Sequence, residues 1–148
     1  MLERTGEQDN KTIPARVLEQ LEFAFRHAAD AVYVTDFDGN IHHVNHSACK
    51  QLGYKRAELL ALNVGDIDVG VYVDLSREGH RKLMQQKEGI FESRHRKKDG
   101  SVFPVEISFS NAVFDGIRYS FSFIRDITQR KRVERRNEEL TFAIDNAV

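Results

Sequence analysis

Two Asp-Gly pairs divide the C-terminal half of the chain into three runs of extended character. Asp99-Gly100 separates residues 90–98 from residues 101–114, and Asp115-Gly116 separates these from residues 117–127. Asp-Gly between alternating apolar runs is the strongest short-range signal for a β-hairpin, because both residues accept the backbone angles of a tight turn. The pattern therefore predicts a meander of three antiparallel strands.

Side-chain alternation along this meander predicts which face is buried. Successive strand residues point to opposite faces, so residues two apart share a face. The apolar set is Phe103, Val105, Ile107, Phe109, Tyr119, Phe121 and Phe123, and the opposite set is Ser108, Ser110, Ser120 and Ser122. We expect the first set to form the core face and the second a thinly polar face.

The N-terminal half adds a further hairpin and several helices. Residues 31–35 and 40–45 are extended runs on either side of turn chemistry at residues 36–39. Short helices are expected over residues 46–53 and 56–62, irregular chain over 64–71, and a longer amphipathic helix over 73–87. With two early and three late strands, the chain is predicted to be an α+β domain built on an antiparallel sheet.

Both ends of the chain differ from this central domain. Residues 1–13 are polar and are expected to form a flexible tail, and residues 14–29 a flanking helix with an apolar stripe. Residues 128–148 predict a second helix, whose apolar stripe has the a/d rhythm of a coiled coil. Packing of that helix against its own domain remains an alternative. The two stripes are Val17, Leu21, Phe25 and Ala28, then Val133, Asn137, Leu140, Ile144 and Ala147.

A sequence similarity between the two flanking helices suggests that the C-terminal helix is the start of a second domain. Leu, Phe, Ala and Ala of residues 21–29 recur at matched positions of residues 140–148. A repeat at domain length suggests that a second, similar domain begins at the C-terminus. Any two amphipathic helices can share such residues, so both interpretations stay open.

Composition excludes several classes of partner. In 148 residues, 22 Lys and Arg nearly balance 23 Asp and Glu, so neither nucleic acid nor an anionic membrane is implied. The single cysteine, Cys49, excludes an internal disulfide and fits a reducing compartment. Apolar runs are too short for a membrane span. We expect a cytoplasmic domain with no direct membrane contact.

Four motifs in order resemble those of PAS domains, and together they cover about residues 21–140. They are Asp36-x-x-Gly39-x-Ile41 with Asn45, the segment 45–60 with Leu52-Gly53-Tyr54, Lys97 to Ser101 followed by Pro104-Val105-Glu106, and Arg125-Asp126-Ile127-Thr128 with Arg130-Lys131. The last resembles the PAC-type exit into a signalling helix. The resemblance implies a PAS domain at residues 30–127, cut from a multidomain signalling protein. It also implies the strand order 2-1-5-4-3, with helices closing a pocket over one face.

If a small molecule binds in that pocket, its walls should be mostly apolar. The candidate ligand-binding residues are Tyr33, Leu83, Phe91, Phe103, Ile107, Tyr119 and Phe121. The alternative is that these side chains simply fill the core.

The resemblance leaves the cofactor unknown, and residue placement disfavours both haem and flavin. His80 lies on the helix where haem-binding relatives keep their ligand, but nearer its start than theirs. Cys49 precedes the Gly53-Tyr54 step, whereas light-sensing relatives place their reactive cysteine after it, and there is no tryptophan. A free cysteine within a short helix is more often a small core residue than a nucleophile. Without a convergent acid, base and nucleophile or a cluster of metal ligands, we expect no enzyme.

The function predicted from these features is sensing. A ligand or redox cue would alter the sheet, and Asp126 and Thr128 would pass the change into the helix at residues 128–148 and on to an effector domain of the same chain. A homodimer is expected, and the candidate dimerisation residues are Val17, Leu21, Phe25, Val133, Leu140 and Ile144. The alternative is a dimerisation or docking module that binds no ligand.

Overall fold

The computed structural model describes residues 14–71 and 77–147, apart from the side chains of Arg77 and His80. The predicted tail at residues 1–13 therefore lies outside the described residues. So do the first residues of the helix predicted over 73–87 and the candidate haem-ligand side chain of His80.

A single antiparallel sheet of five strands organises the described residues. In chain order the elements are α1 (Ala15–His27), β1 (Ala31–Asp36), β2 (Ile41–Val44), α2 (His46–Leu52), α3 (Arg56–Leu60), α4 (Val64–Ile67), α5 (Arg77–Gln85), β3 (Glu88–Arg96), β4 (Val102–Phe114), β5 (Ile117–Asp126) and α6 (Thr128–Asp145). The strands lie in the order β2-β1-β5-β4-β3. The predicted α+β class and strand order are confirmed.

The turn between β4 and β5 fixes which residues of the two strands share a face. Asp115 and Gly116 have φ angles of 50° and 76°, so they form a two-residue hairpin turn, and Phe114 pairs with Ile117. Every pair along the ladder then joins an odd-numbered residue to an even-numbered one, as Ile107 is joined to Ile124. Directly paired residues point to the same face. Odd residues of β4 therefore share a face with even residues of β5.

This register overturns one prediction. The inner face of the sheet, which the helices cover, carries Ile107 and Phe109 from β4 but Ser120, Ser122 and Ile124 from β5. Tyr119, Phe121 and Phe123 lie on the outer face, next to Val32 and Val34 of β1. Placing them on the core face with Phe103 was wrong, because the two-residue turn inverts the alternation between the strands.

The core lies between the inner face and the short helices. Ala48 and Leu52 of α2, Leu59 of α3 and Ile67 of α4 are almost fully buried against the sheet. Each such Leu or Ile side chain contributes about 1.5–3 kcal/mol through removal of its surface from water. These contacts place the helices over one side of the sheet only.

Asparagine caps position two of these helices. Asn45 Oδ1 accepts hydrogen bonds from the Ala48 amide, which caps α2, and from the Val32 amide of β1. Asn63 Oδ1 accepts from the Gly65 amide, and Asp66 accepts from the Asn63 amide in return. That reciprocal capping forms α4 where irregular chain was expected.

Helices α1 and α6 project from this domain and bury none of their residues fully. The end of α1 is tied to α2 by the Ser47 hydroxyl, which donates to the Ala28 carbonyl at 2.6 Å. Within the part of the chain that the structure describes, no helix is long and apolar enough to cross a membrane.

Candidate functional site

A small cavity lies between the inner face of the sheet and helices α4 and α5. Its volume is about 50 Å³. The apolar part of its wall is Val64, Val71, Leu83, Met84, Phe91, Ile107, Phe109 and Ile124, and the polar part is Tyr33, Thr35, Asp36, Asp68, His95, Ser120 and Ser122. None of these described lining residues is Lys or Arg.

Small residues on β5 leave the space for this cavity. Ser122 pairs with Phe109 and with Tyr33, and Ser120 pairs with Asn111 and Thr35, so both serines sit at the centre of the inner face. Ser120 is fully buried, and its hydroxyl oxygen lies 3.5 Å from that of Ser122. Larger apolar side chains at these two positions would fill the cavity.

A buried polar cluster forms the wall on the side of β3. The Ser93 hydroxyl donates to Asp68 Oδ2 at 2.7 Å, and the Gly70 amide donates to Asp68 Oδ1 at 3.0 Å. His95 Nε2 lies 3.4 Å from Asp68 Oδ2, and both side chains are 2% exposed. A buried carboxylate is stable only with such partners. Gly70 permits the approach, because a Cβ there would lie 2.5 Å from Ser93 Oγ.

Tyr33 completes this cluster from strand β1. Its ring stacks on that of His95 with the centroids 6.2 Å apart. Burial raises the pKa of Tyr33 far above its usual range, so the hydroxyl stays protonated. Within residues 14–71 and 77–147, neither that hydroxyl nor His95 Nδ1 has a hydrogen-bond partner, and His95 Nε2 makes only the 3.4 Å contact with Asp68.

Asp36 forms the other acidic part of the wall, at the end of β1. Its carboxylate accepts from the amides of Asp38 and Asn40, and it lies 2.9 Å from His42 Nε2. Partial burial acts to raise the pKa of Asp36, but the hydrogen bonds from His42 and Asn40 outweigh it and lower that pKa. This carboxylate is therefore ionised and already partnered.

The structure brings together four of the seven predicted ligand-binding residues. Tyr33, Leu83, Phe91 and Ile107 line the cavity. Phe103 belongs to the core beside His95 but does not reach the cavity, because it lies at the start of β4.

Tyr119 and Phe121 were wrongly assigned to the cavity, since they lie on the outer face. Sequence reasoning missed Asp68, His95, Ser120 and Ser122. The turn length could have identified the two serines, but nothing in the sequence brings Asp68 and His95 together.

Strand β5 continues into α6 through a short, well-anchored junction. The Ile127 side chain is buried, and its amide donates to the Pro104 carbonyl at 3.1 Å. Asp126 Oδ1 accepts from the Thr128 amide at 2.9 Å and from the Thr128 hydroxyl. Of the two predicted relay residues, Asp126 is the acceptor and Thr128 the donor, and the N-cap residue between them, Ile127, makes no side-chain cap hydrogen bond.

Charged side chains fasten the first turn of α6 to the sheet. Arg130 donates to Glu106 at 3.0 Å and to Glu92 at 2.7 Å, and Lys131 Nζ lies 2.8 Å from Glu92. Glu92 and Glu106 are cross-strand neighbours on the outer face, where two like charges would otherwise repel each other. We call these four side chains the latch.

Cys49 and the predicted dimerisation residues lie away from the cavity. Cys49 is partly buried beside a cleft between α1 and α2, and this burial raises the pKa of its thiol, as expected for a core cysteine. Leu21, Val133, Leu140 and Ile144 are exposed, and Val17 and Phe25 are half-buried. Among the described residues, no group of three or more His, Cys, Asp and Glu could hold a metal ion.

Comparison with known proteins identifies the family. Residues 29–129 match the PAS domain family. The chain is 32% identical over 125 residues to the methyl sulfide methyltransferase-associated sensor of Methanosarcina acetivorans, covering 81% of this chain and 12% of that protein. It is 30% identical over 119 residues to a protein of Azorhizobium caulinodans, covering 76% of this chain and 16% of that protein.

Solved structures of PAS domains also resemble this chain. A PAS domain from a two-component sensor histidine kinase superposes with a TM-score of 0.68 at 25% identity, covering 75% of this chain and 96% of that one. The PAS domain of an HTR-like protein from Haloarcula marismortui does so with a TM-score of 0.66 at 27% identity, covering 76% and 93%. The chain belongs to the PAS domain family. A sensor and a PAS domain of a sensor histidine kinase are thus among the proteins that the chain is similar to.

Proposed function

We propose that this domain detects a small molecule or a redox cue at the inner cavity and relays it through α6. The observation that carries the proposal is the double role of β5. Ser120, Ser122 and Ile124 of this strand line the cavity, and the same strand ends at Asp126 and leads directly into α6. An occupant that displaces β5 therefore acts on the base of the helix. The domain itself senses and relays and catalyses no reaction.

The junction between β5 and α6 determines how a displacement of β5 affects the helix. Ile127 fixes the junction in the core, and the latch holds the next turn against β3 and β4. A ligand shifts this equilibrium only if its affinity differs between two arrangements of β5 and α6. The latched arrangement described here is one of them.

The output lies elsewhere in the parent protein. The chain spans 12% and 16% of the length of two curated relatives, which supports its being one part of a multidomain signalling protein, for which we propose a cytoplasmic location. Residues 125–131 then serve as the PAC-type exit toward an effector such as a histidine kinase. A homodimer joined through α1 and α6 would place two such exits side by side. The proposal requires no haem or flavin.

A substitution that fills the cavity tests the relay without any ligand. Ser122→Val adds bulk to the inner face and should change amide hydrogen exchange at the start of α6 by a factor of three or more, roughly the effect of one weak hydrogen bond. Mass spectrometry of exchange over residues 126–134 measures it. Ser110→Val is the matched control, because Ser110 is exposed on the outer face of the adjacent strand. Equal exchange in the two folded variants would contradict the relay.

A second function is favoured by the exposed apolar residues of the flanking helices. Leu21, Leu140 and Ile144 are each more than half exposed, which suits a dimerisation or docking module that binds no ligand. This function predicts that Ser122→Val leaves the junction unchanged, while substitutions on α6 alter the oligomeric state.

A further inference from the structure

The charges and hydrogen-bonding groups around the inner cavity define what it can hold. Its described ionisable wall groups are Asp36, Asp68 and His95, without any Lys or Arg. Among these described wall groups, an anionic ligand would meet two carboxylates in a low-dielectric interior and no fixed positive charge. Because His95 faces Asp68, any positive charge on His95 is balanced within the wall. The cavity is therefore unsuited to anions.

Cations are disfavoured for a different reason. The Asp68 carboxylate already accepts from the Gly70 amide and the Ser93 hydroxyl, and Asp36 accepts from Asn40 and has His42 beside it. Both acids are thus partnered before any ligand enters. A buried cation would have to compete with these bonds to recover the solvation it loses.

Uncharged hydrogen-bonding capacity is what the wall has left over. The Tyr33 hydroxyl and His95 Nδ1 are buried and have no hydrogen-bond partner among the described residues, whereas His95 Nε2 already lies beside Asp68. Leaving such groups unpaired is unfavourable, so a partner that reaches them is stabilising. Beside them, Phe91 and Ile107 provide apolar surface, and the volume of about 50 Å³ limits the size of any occupant.

We propose that the cavity binds an uncharged molecule of roughly two to four non-hydrogen atoms that carries one hydrogen-bonding group, of the class of small amides, alcohols and ketones. A cavity of about 150 Å³ holds benzene, which sets the scale of this size. The proposal rests on the sensory function proposed above. It narrows the cue to a neutral solute that contacts Tyr33 at one end and Phe91 at the other.

Three probes that match in shape and differ in charge test it. Acetamide, acetate and acetamidinium are titrated separately into the whole chain at constant ionic strength, and binding is followed by backbone amide chemical shifts. Acetamide should give saturable shifts at residues of the inner face, and the two ions should give none beyond a salt control. Saturable binding of acetate there as strong as that of acetamide would overturn the proposal, and so would the lack of any acetamide binding.

A pair of single-hydroxyl deletions locates the contact. Tyr33→Phe should weaken acetamide binding by about three- to tenfold, the effect of one hydrogen bond, whereas Tyr119→Phe on the outer face should leave it unchanged. Equal affinity in both variants would overturn the assignment of Tyr33. If Tyr33→Phe does not fold, Ser122→Val replaces it and should abolish the saturable shifts.

A failure of acetamide to bind can be distinguished from a failure of the relay through α6. The exchange measurement on Ser122→Val uses no ligand, so the junction can respond to cavity filling even if acetamide does not bind. In that case the ligand class is wrong and the relay stands. Conversely, acetamide can bind at the inner face while the junction remains unresponsive.

Discussion

Single side chains decide how strand β5 becomes helix α6. Asp126, one residue before the N-cap Ile127, supplies the carboxylate that accepts from the Thr128 amide and hydroxyl at the start of the helix. The first amides of a helix lack partners within the helix, so a side-chain acceptor there is stabilising.

Removing this acceptor should destabilise the domain. Asp126→Ala is expected to lower the free energy of unfolding by about 1 kcal/mol, the usual effect of losing one hydrogen bond. Urea unfolding monitored by circular dichroism measures it. Asp145→Ala is the control, because it removes a carboxylate from the other end of α6, where a negative charge is unfavourable. Equal losses in both variants would show that this acceptor is not the cause.

At the scale of elements, the latch connects α6 to two strands through ion pairs and the hydrogen bonds within them. The Lys131 ammonium group beside Glu92, together with Arg130, lowers the pKa of the Glu92 carboxyl. A carboxyl whose pKa is lower in the folded state stabilises that state at pH values above its unfolded-state pKa, about 4.3. This stabilisation is lost as the pH falls through the folded-state pKa. The latch should therefore weaken only under acidic conditions.

Titration of Glu92 tests the latch directly. In Lys131→Ala the pKa of Glu92 should rise toward its unfolded value, as measured by the carboxyl carbon shift in an NMR titration. Arg132→Ala removes a neighbouring positive charge that lies outside the latch and should leave that pKa nearly unchanged. A similar rise in both variants would indicate a general charge effect and would contradict the specific contact.

Local chemistry made most elements predictable, because each is defined by residues close in sequence. Asp115-Gly116 determines a two-residue turn, and Gly53, with a φ angle of 76°, ends α2 in the left-handed conformation that was expected. The exception was α4. Its capping pair, Asn63 and Asp66, is present in the sequence, but Gly65 and Gly70 favoured irregular chain in the prediction for this segment.

The cavity was less predictable because it depends on contacts between distant residues. Because its wall was expected to be apolar, Phe121 was predicted to line the cavity, and Ser120 and Ser122 were predicted to lie on the opposite, polar face. Asp68 and His95 meet only because the chain after α4 runs along β3, where the Val69 amide donates to the Arg94 carbonyl. Alternation within a strand is visible in a sequence, whereas such tertiary pairing is not.

At the scale of the whole molecule, the stripes of α1 and α6 leave large apolar side chains exposed, among them Leu21, Val133 and Leu140. Leu140 is 56% exposed and Ile144 is 73% exposed, and they lie four residues apart on one stripe of α6. Pairing with a second copy would cover this stripe and place two copies of the junction side by side.

A charged residue in the stripe should break this pairing. Leu140→Asp is expected to raise the dimer dissociation constant at least about tenfold, since a buried Leu contributes more than the 1.4 kcal/mol that corresponds to that factor. Sedimentation equilibrium or native mass spectrometry measures it. Phe142→Asp is the matched control, because Phe142 is also exposed but falls outside the heptad stripe. A wild-type chain that is monomeric throughout would refute dimerisation through α6.

The two faces of the sheet carry separate sets of residues, one lining the cavity and one forming the latch. Ile107 and Phe109 of β4 line the cavity, whereas Glu106 belongs to the latch on the opposite face, so exchanging one set leaves the other in place. Specificity and output can thus change independently over evolution. A designer could likewise rebuild the interior to recognise another compound and keep the existing transmission to the effector.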